Sequence, residues 1–140
     1  MKRKVRLTLI GRQRDDAGQE NVTELSADAE YYERNGCRYV LYEEDGPDAG
    51  CTQSIIKLKD GLLELTRKGS VNTRMVFEEG KEHMADYITP FGTLQLCIAT
   101  TGICSKHTKS CLEIYADYDL TDRGYVLSHC NISIKIQDLV

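Results

Sequence analysis

Four residues offer metal ligands by type alone. Cys97, Cys104, His107 and Cys111 fall within fifteen residues and supply three thiolates and an imidazole, a set that structural zinc sites use. Their spacing argues against it. There is no Cys-x-x-Cys knuckle, and Cys97 sits in a strand-like run, so the four are weak candidates and the expectation is no metal. Were zinc bound, Cys104, His107 and Cys111 would clip the connection from Thr100 to Ser110, which otherwise reads as a flexible loop with stray thiols. Nucleophilic catalysis is poorly served as well, since it needs a base within reach of its nucleophile. His83, His107 and His129 are the only histidines. His129 adjoins Cys130, but neighbours on a strand face opposite ways. No Gly-x-Ser-x-Gly elbow, His-Glu-x-x-His helix or phosphate-cradling glycine loop is present. Asp15-Asp16, Glu43-Glu44-Asp45 and Glu78-Glu79 fall at turns and read as solvated surface rather than general acids. The expectation is a protein without enzymatic activity and without a cofactor.

Arg67, Arg74 and Tyr87 are the remaining candidates, for binding a ligand. An inward arginine in a barrel can take a carboxylate with both arms of its guanidinium, with a tyrosine hydroxyl as second donor. Alternation puts Arg67 on the face of Leu63 and Leu65, with Thr73 as another inward polar residue. The same rule puts Arg74 opposite Met75 and Phe77, toward the outside. Against an inward role for Arg67 stands the habit of strand-end arginines to reach for water and pair with an acid at the rim.

These residues are carried by a chain that reads as almost entirely β. Helical periodicity is nearly absent, whereas alternation of period two recurs. It runs through Val5, Leu7 and Leu9, through Val22 and Leu25 to Tyr32 after the Asp15–Gly18 turn, through Cys37 to Tyr42, and through Ile56 and Leu58. It continues in Leu63 to Arg67, Val71 to Phe77, Leu94 to Ile98, Leu112 to Tyr118, and Ile132 to Ile136. A strand over Met84 to Thr89 brings the count to about ten, at the spacing of all-β barrels and sandwiches. Asn35-Gly36 and Asp60-Gly61 are hairpin signals. Lys68-Gly69, Glu79-Gly80, Phe91-Gly92 and Arg123-Gly124 mark further reversals, and Pro47 and Pro90 also fall at turns. Short turns pair neighbours in sequence, which predicts a single antiparallel up-and-down meander, closed into a barrel so that no edge is left exposed. Eight to ten strands enclose room for side chains or one small ligand.

Composition sets the outer limits. With 140 residues the chain fits one domain, 1–140. Hydrophobic residues make up 41% and charged residues 29%, which speaks for a folded chain rather than a disordered one. A net charge of −4 gives no general attraction to nucleic acid or anionic membrane. Lys2-Arg3-Lys4 with Arg6 reads as a solvated strand start. The apolar run that follows is too short for a signal peptide, and no stretch approaches a bilayer span. A cytoplasmic protein is expected, with its six cysteines reduced and mostly structural.

Leu63-Glu64-Leu65-Thr66-Arg67-Lys68-Gly69 leads to Arg74-Met75-Val76-Phe77-Glu78-Glu79-Gly80. Tyr87-Ile88-Thr89-Pro90-Phe91-Gly92-Thr93-Leu94 and Leu112-Glu113-Ile114-Tyr115-Ala116-Asp117-Tyr118 follow. With Glu30-Tyr31-Tyr32 and Asn131-Ile132-Ser133-Ile134, these pieces resemble the YwiB-like family of small uncharacterised bacterial proteins. The resemblance implies a calycin-like (lipocalin-type) β-barrel and names no reaction. Two expectations for function follow. One is a non-enzymatic barrel that holds a small apolar or carboxylate ligand, which requires an open lumen and fails if packed Leu, Ile and Phe fill it. The other is a packed-core module that self-associates, such as a homodimer, through an exposed patch around Tyr39, Tyr42, Val76 and Tyr115.

Overall fold

In the computed structural model residues 2–46, 50–69, 72–89 and 92–139 are described; within them the side chains of 45, 46, 50, 51, 87–89 and 94 are left aside. Ten strands follow one another: β1 (Arg3–Asp15), β2 (Glu20–Arg34), β3 (Cys37–Gly46), β4 (Gly50–Lys59), β5 (Leu62–Gly69), β6 (Thr73–Glu78), β7 (Glu82–Thr89), β8 (Gly92–His107), β9 (Cys111–Asp122) and β10 (Tyr125–Asp138). The two tightest reversals show why the sequence turns where it does. Asn35 and Gly36 have φ of 53° and 77°, and Arg123 and Gly124 have 52° and 84°. Two successive left-handed residues match the right-handed twist of the flanking strands, and glycine adopts that conformation without strain.

The strands form one antiparallel sheet in the order β6-β5-β4-β3-β2-β1-β10-β9-β8-β7. Each neighbour is the next in sequence, except that β1 pairs with β10 and so rolls the meander round. The ends of that order, β6 and β7, stay in contact across a seam without a ladder of their own, which leaves the barrel nearly closed. The Glu79-Gly80 turn joins them and is tied to β8, as Gly80 N–H donates to Thr100 O (2.9 Å) and Thr100 N–H to Lys81 O (3.2 Å).

Hairpins alternate between the two ends of the barrel. One end carries the turns at Asn35-Gly36, Asp60-Gly61, Glu79-Gly80 and Thr108–Ser110; the other carries Asp16–Gln19 and Arg123-Gly124. Between them Leu7, Ile56, Leu63, Phe77, Ile98, Ile114 and Ile134 are fully buried and fill the lumen. Each such side chain contributes about 1.5–3 kcal/mol by leaving water. Phe77 meets Tyr118 edge to face at 4.8 Å, the arrangement aromatic quadrupoles favour.

Two places depart from a regular meander. The first corrects the loop expected from Thr100 to Ser110. That stretch is mostly strand, since β8 pairs with β9 as far as His107↔Leu112 and only a short turn remains. A bulge between Thr100 and Gly102 inserts a residue and resets which side chains face inward, so the alternation could not be followed through it. Beyond the bulge Ile103 packs on the core, while Ile103, Cys104 and Ser105 face Gly36, Leu58 and Asp60-Gly61 across a hollow of about 250 Å³. The β8–β9 hairpin thus reaches over the Asn35-Gly36 end, which the pairing of β2 with β3 closes on its own side.

The second is a fork. β2 and β3 pair only from Glu30↔Leu41 to Arg34↔Cys37. Past that point β2 continues on β1 as far as Glu20↔Arg14, and β3 continues on β4. Among the described residues no ladder joins Glu20–Ala29 to Tyr42–Gly46. No helix among the described residues is long and apolar enough to cross a membrane.

Candidate functional site

Strand register assembles a polar row inside the end opposite the closed one. Tyr42 of β3 faces Ser54 of β4, Ser54 faces Arg67 of β5, and Arg67 faces Thr73 of β6. The next layer toward the mouth pairs Glu44 with Thr52. Tyr42, Thr52, Ser54 and Thr73 are all buried. They point inward because β3 to β6 keep one parity from the apolar layers below, where Val40↔Ile56 and Leu65↔Met75 share the same face.

Arg67 Nη2 forms a short ion pair with Glu44 Oε2, and the Glu44 side chain is only 13% exposed. The pair leaves two buried polar atoms, Arg67 Nε and Ser54 Oγ, without a hydrogen bond of good geometry. Burial first, and the Glu44 carboxylate second, push the Tyr42 phenol above its ordinary range. Tyr42 is therefore a neutral donor throughout the physiological range. A buried hydroxyl left with no partner at all costs about 1–3 kcal/mol; Ser54, with the Tyr42 phenol beside it and no bond of good geometry, keeps capacity for a further bond.

The fork gives access to the row. Between β2 and β3 lies a cleft of about 570 Å³ walled by Ala27, Ala29, Leu41, Tyr42, Ser54 and Ile55, within the size range of small-molecule sites. Its wall is apolar at Ala27, Ala29, Leu41, Ile55 and Leu139, and carries Lys4, Asp28, Glu30, Glu43 and Gln53 beside the Ser54 hydroxyl and the Tyr42 phenol. A second hollow, of about 270 Å³, lies by Arg12, Arg14, Glu20 and His129. There Arg12 and Arg14 share the one Glu20 carboxylate at 3.9 and 3.7 Å, and His129 meets Asp119 at 2.6 Å.

The sequence candidates are distributed unevenly over this geometry. Arg67 faces inward, as alternation required, and is also paired with an acid. Arg74 lies on the outer surface, 2.8 Å from Glu64, and does not approach Arg67. The Tyr87 backbone pairs with Leu94; its side chain lies outside the described residues. Cys97 and Cys104 occupy one strand about 23 Å apart at the rise of an extended chain. Cys104 lies across from Tyr115, His107 from Leu112, and Cys111 from Gln137. Among the described residues no three His, Cys, Asp or Glu side chains are grouped to hold a metal. His129 turns outward to Asp119, while Cys130 turns inward, where burial pushes its thiol up and makes it a poorer nucleophile. Of the patch expected to be exposed, Tyr42 and Val76 are buried, so that patch does not form. β3 is apolar on both faces, and alternation alone could not tell that Val40 and Tyr42 take the inner one.

Tyr42, Glu44 and Ser54 were missed. Its place in Glu43-Glu44-Asp45 predicts a surface acid at a turn for Glu44, and only the β3–β4–β5 register brings it to Arg67. Ser54 had one usable signal: it shares a parity with Ile56 and Leu58, so a polar residue stood on an otherwise apolar face.

Comparison with known proteins agrees with this architecture. The chain is 29% identical over 106 residues to the uncharacterized β-barrel protein YwiB of Bacillus subtilis strain 168, covering 76% of this chain and 74% of that protein. The crystal structure of the B. subtilis YwiB protein superposes with a TM-score of 0.87 at 25% identity, covering 99% of this chain and 94% of that one. Residues 7–134 match a family model described as a domain of unknown function, DUF1934, and the chain belongs to that family.

Proposed function

We propose that this barrel is a non-enzymatic binding protein that takes a small, partly apolar molecule through the β2–β3 fork. The observation that carries the reading is the Ser54 hydroxyl, buried in the wall of the cleft beside the Tyr42 phenol and without a hydrogen bond of good geometry. A ligand oxygen placed against Ser54 and the neighbouring Arg67 Nε would complete both, while its apolar body lies on Ala27, Ala29, Leu41 and Ile55. Packed Leu, Ile and Phe fill the deeper lumen, so the ligand is confined to the mouth and the fork. A lipocalin-type use of the whole barrel interior is replaced by a shallower one. Because Glu44 already engages Arg67, a carboxylate ligand must compete with it, whereas a neutral carbonyl or hydroxyl does not. Free thiols at Cys37, Cys97, Cys104, Cys111 and Cys130 fit a reducing, cytoplasmic setting.

Native mass spectrometry of freshly purified protein, together with a Nile red titration, tests this reading. Nile red is neutral, largely apolar and carries an acceptor carbonyl. Saturable binding that Ala27→Phe blocks and Ser54→Ala weakens is expected. No binding, or binding indifferent to both substitutions, would remove the proposal.

A second reading rests on a different surface. Tyr125, Val126 and Leu127 at the start of β10 are all exposed, Tyr125 by 77%, and three consecutive exposed apolar residues favour self-association. A strictly monomeric mass at tens of micromolar protein would exclude a homodimer through this run.

A further inference from the structure

A small ligand leaves one feature of the fork unused. Along Glu20–Ala29 of β2 and Tyr42–Gly46 of β3, the strand edges that face each other have no ladder between them. Each edge presents a row of backbone N–H and C=O groups in extended geometry. Such rows are templates for another strand. Elsewhere the barrel manages its edges: β1 and β10 pair along their length, and β6 and β7 remain in contact across the seam. The fork is different, because its two edges diverge around a cleft.

The side chains on either flank specify what fits. Inward from the fork lie Leu25, Ala27, Ala29 and Tyr42. Outward lie Glu24, Asp28, Glu30 and Glu43, four acids against Lys4 of β1, which lines the same cleft, and neither Glu20–Glu30 nor Tyr42–Asp45 contains a single Lys or Arg. Asp28 and Glu30 are held by Arg6 and Lys2 at 2.8 and 3.7 Å. Glu24 and Glu43 form no ion pair with any described residue. We infer that the fork binds an extended peptide segment of a partner protein by strand addition, with small apolar residues facing inward and basic residues facing outward. Main-chain hydrogen bonds supply the affinity, and alternation supplies the specificity. A second copy of this chain is disfavoured at the same edge, since β2 against β2 would place like charges opposite one another. The peptide would share the cleft with the small molecule proposed above, but it depends on the backbone edges rather than on Ser54.

The test uses the full chain and a capped synthetic peptide of about nine residues alternating lysine and valine, long enough to follow β2 at ~3.3 Å per residue. Controls are the same peptide with glutamate for lysine, and one N-methylated on alternate residues to remove a row of donors. Fluorescence anisotropy should give saturable binding of the lysine peptide, and about tenfold or greater weakening for both controls. Amide hydrogen exchange should slow over Glu20–Ala29 and Tyr42–Glu44. The double variant Glu24→Lys/Glu43→Lys, both exposed positions, should lose the lysine peptide and gain the glutamate one. Equal binding of all three peptides, or slowed exchange only along β6, β7 or β10, would overturn the inference. Nile red binding without peptide binding would overturn it and leave the small-molecule reading standing; peptide binding without Nile red would do the reverse.

Discussion

The two ends of the barrel are made of the same alternating strands and finish in opposite ways. At the Asn35-Gly36 end, β2 and β3 are zipped together and β8 bends over the opening at its bulge to seat Ile103 on the core. Tyr31 there is buried, its hydroxyl donating to Glu33 (2.7 Å), with Arg3 stacked 4.7 Å over its ring. Thr100, tied to the Glu79-Gly80 turn of this end, has its backbone groups bonded and its buried hydroxyl without a hydrogen bond of good geometry. At the other end β2 leaves β3, and the inward row Tyr42, Ser54, Arg67 and Thr73 holds two polar atoms without a hydrogen bond of good geometry. The contrast separates stability from recognition. One end buries apolar surface and leaves a single buried hydroxyl, that of Thr100, poorly bonded, as a fold tolerates; the other gathers unmet hydrogen-bonding capacity in one row beside an accessible cleft, which is what a binding site requires.

Substitutions can break or sharpen this contrast, in decreasing order of effect. Phe77→Ala removes the largest fully buried side chain and its edge contact with Tyr118. It should cost about 3–5 kcal/mol in urea unfolding. A loss below about 1 kcal/mol would mean that the lumen is not the packed core described above. Arg67→Leu leaves Glu44 buried without its cation and should cost about 1–3 kcal/mol. The double variant Arg67→Leu/Glu44→Leu should recover part of that loss, because no uncompensated charge remains. Ser54→Ala should cost less than about 0.5 kcal/mol, since its hydroxyl makes no hydrogen bond of good geometry. The same change should weaken Nile red. A site where one substitution spares folding and harms binding is the signature expected of the open end alone.

The last effect appears only in strong base. Burial first, and then the hydrogen bond to Glu33, push the Tyr31 phenol up to about 12, against about 10 for an unperturbed tyrosine. A folded-state value above the unfolded one favours the protonated form. The contribution of Tyr31 is therefore complete below about pH 10 and is lost as pH rises toward 12. Tyr31→Phe should flatten that part of the stability profile and leave neutral pH unchanged. An identical alkaline slope in both proteins would contradict the buried placement of Tyr31.

Much of the fold was legible because its signals are local. Asn35-Gly36 and Arg123-Gly124 announce their own reversals, and Leu63, Leu65 and Arg67 declare a common face. Thr73 and Arg67 were identifiable as inward polar residues for the same reason, and they stand opposite each other in the β5–β6 ladder. What could not be read depends on register between strands or on an interruption of parity. The bulge at Thr100–Gly102 hid the second half of β8, as alternation restarts there. Glu44 and Arg67 are 23 residues apart and meet only through two intervening ladders. The fork leaves no mark in β2 at all: Glu20–Ala29 alternates as a paired strand does, and its loss of β3 is decided by where β3 turns away.

The most direct test of an open, binding-competent end is a chemical-shift titration of isotope-labelled protein with Nile red. Shifts should concentrate at Ala27, Ala29, Leu41, Tyr42, Ser54 and Arg67, saturate together, and spare Tyr31, Ile103 and Leu112 at the closed end. Saturable shifts centred on the closed end, or none at either end, would contradict the division of labour between the two ends.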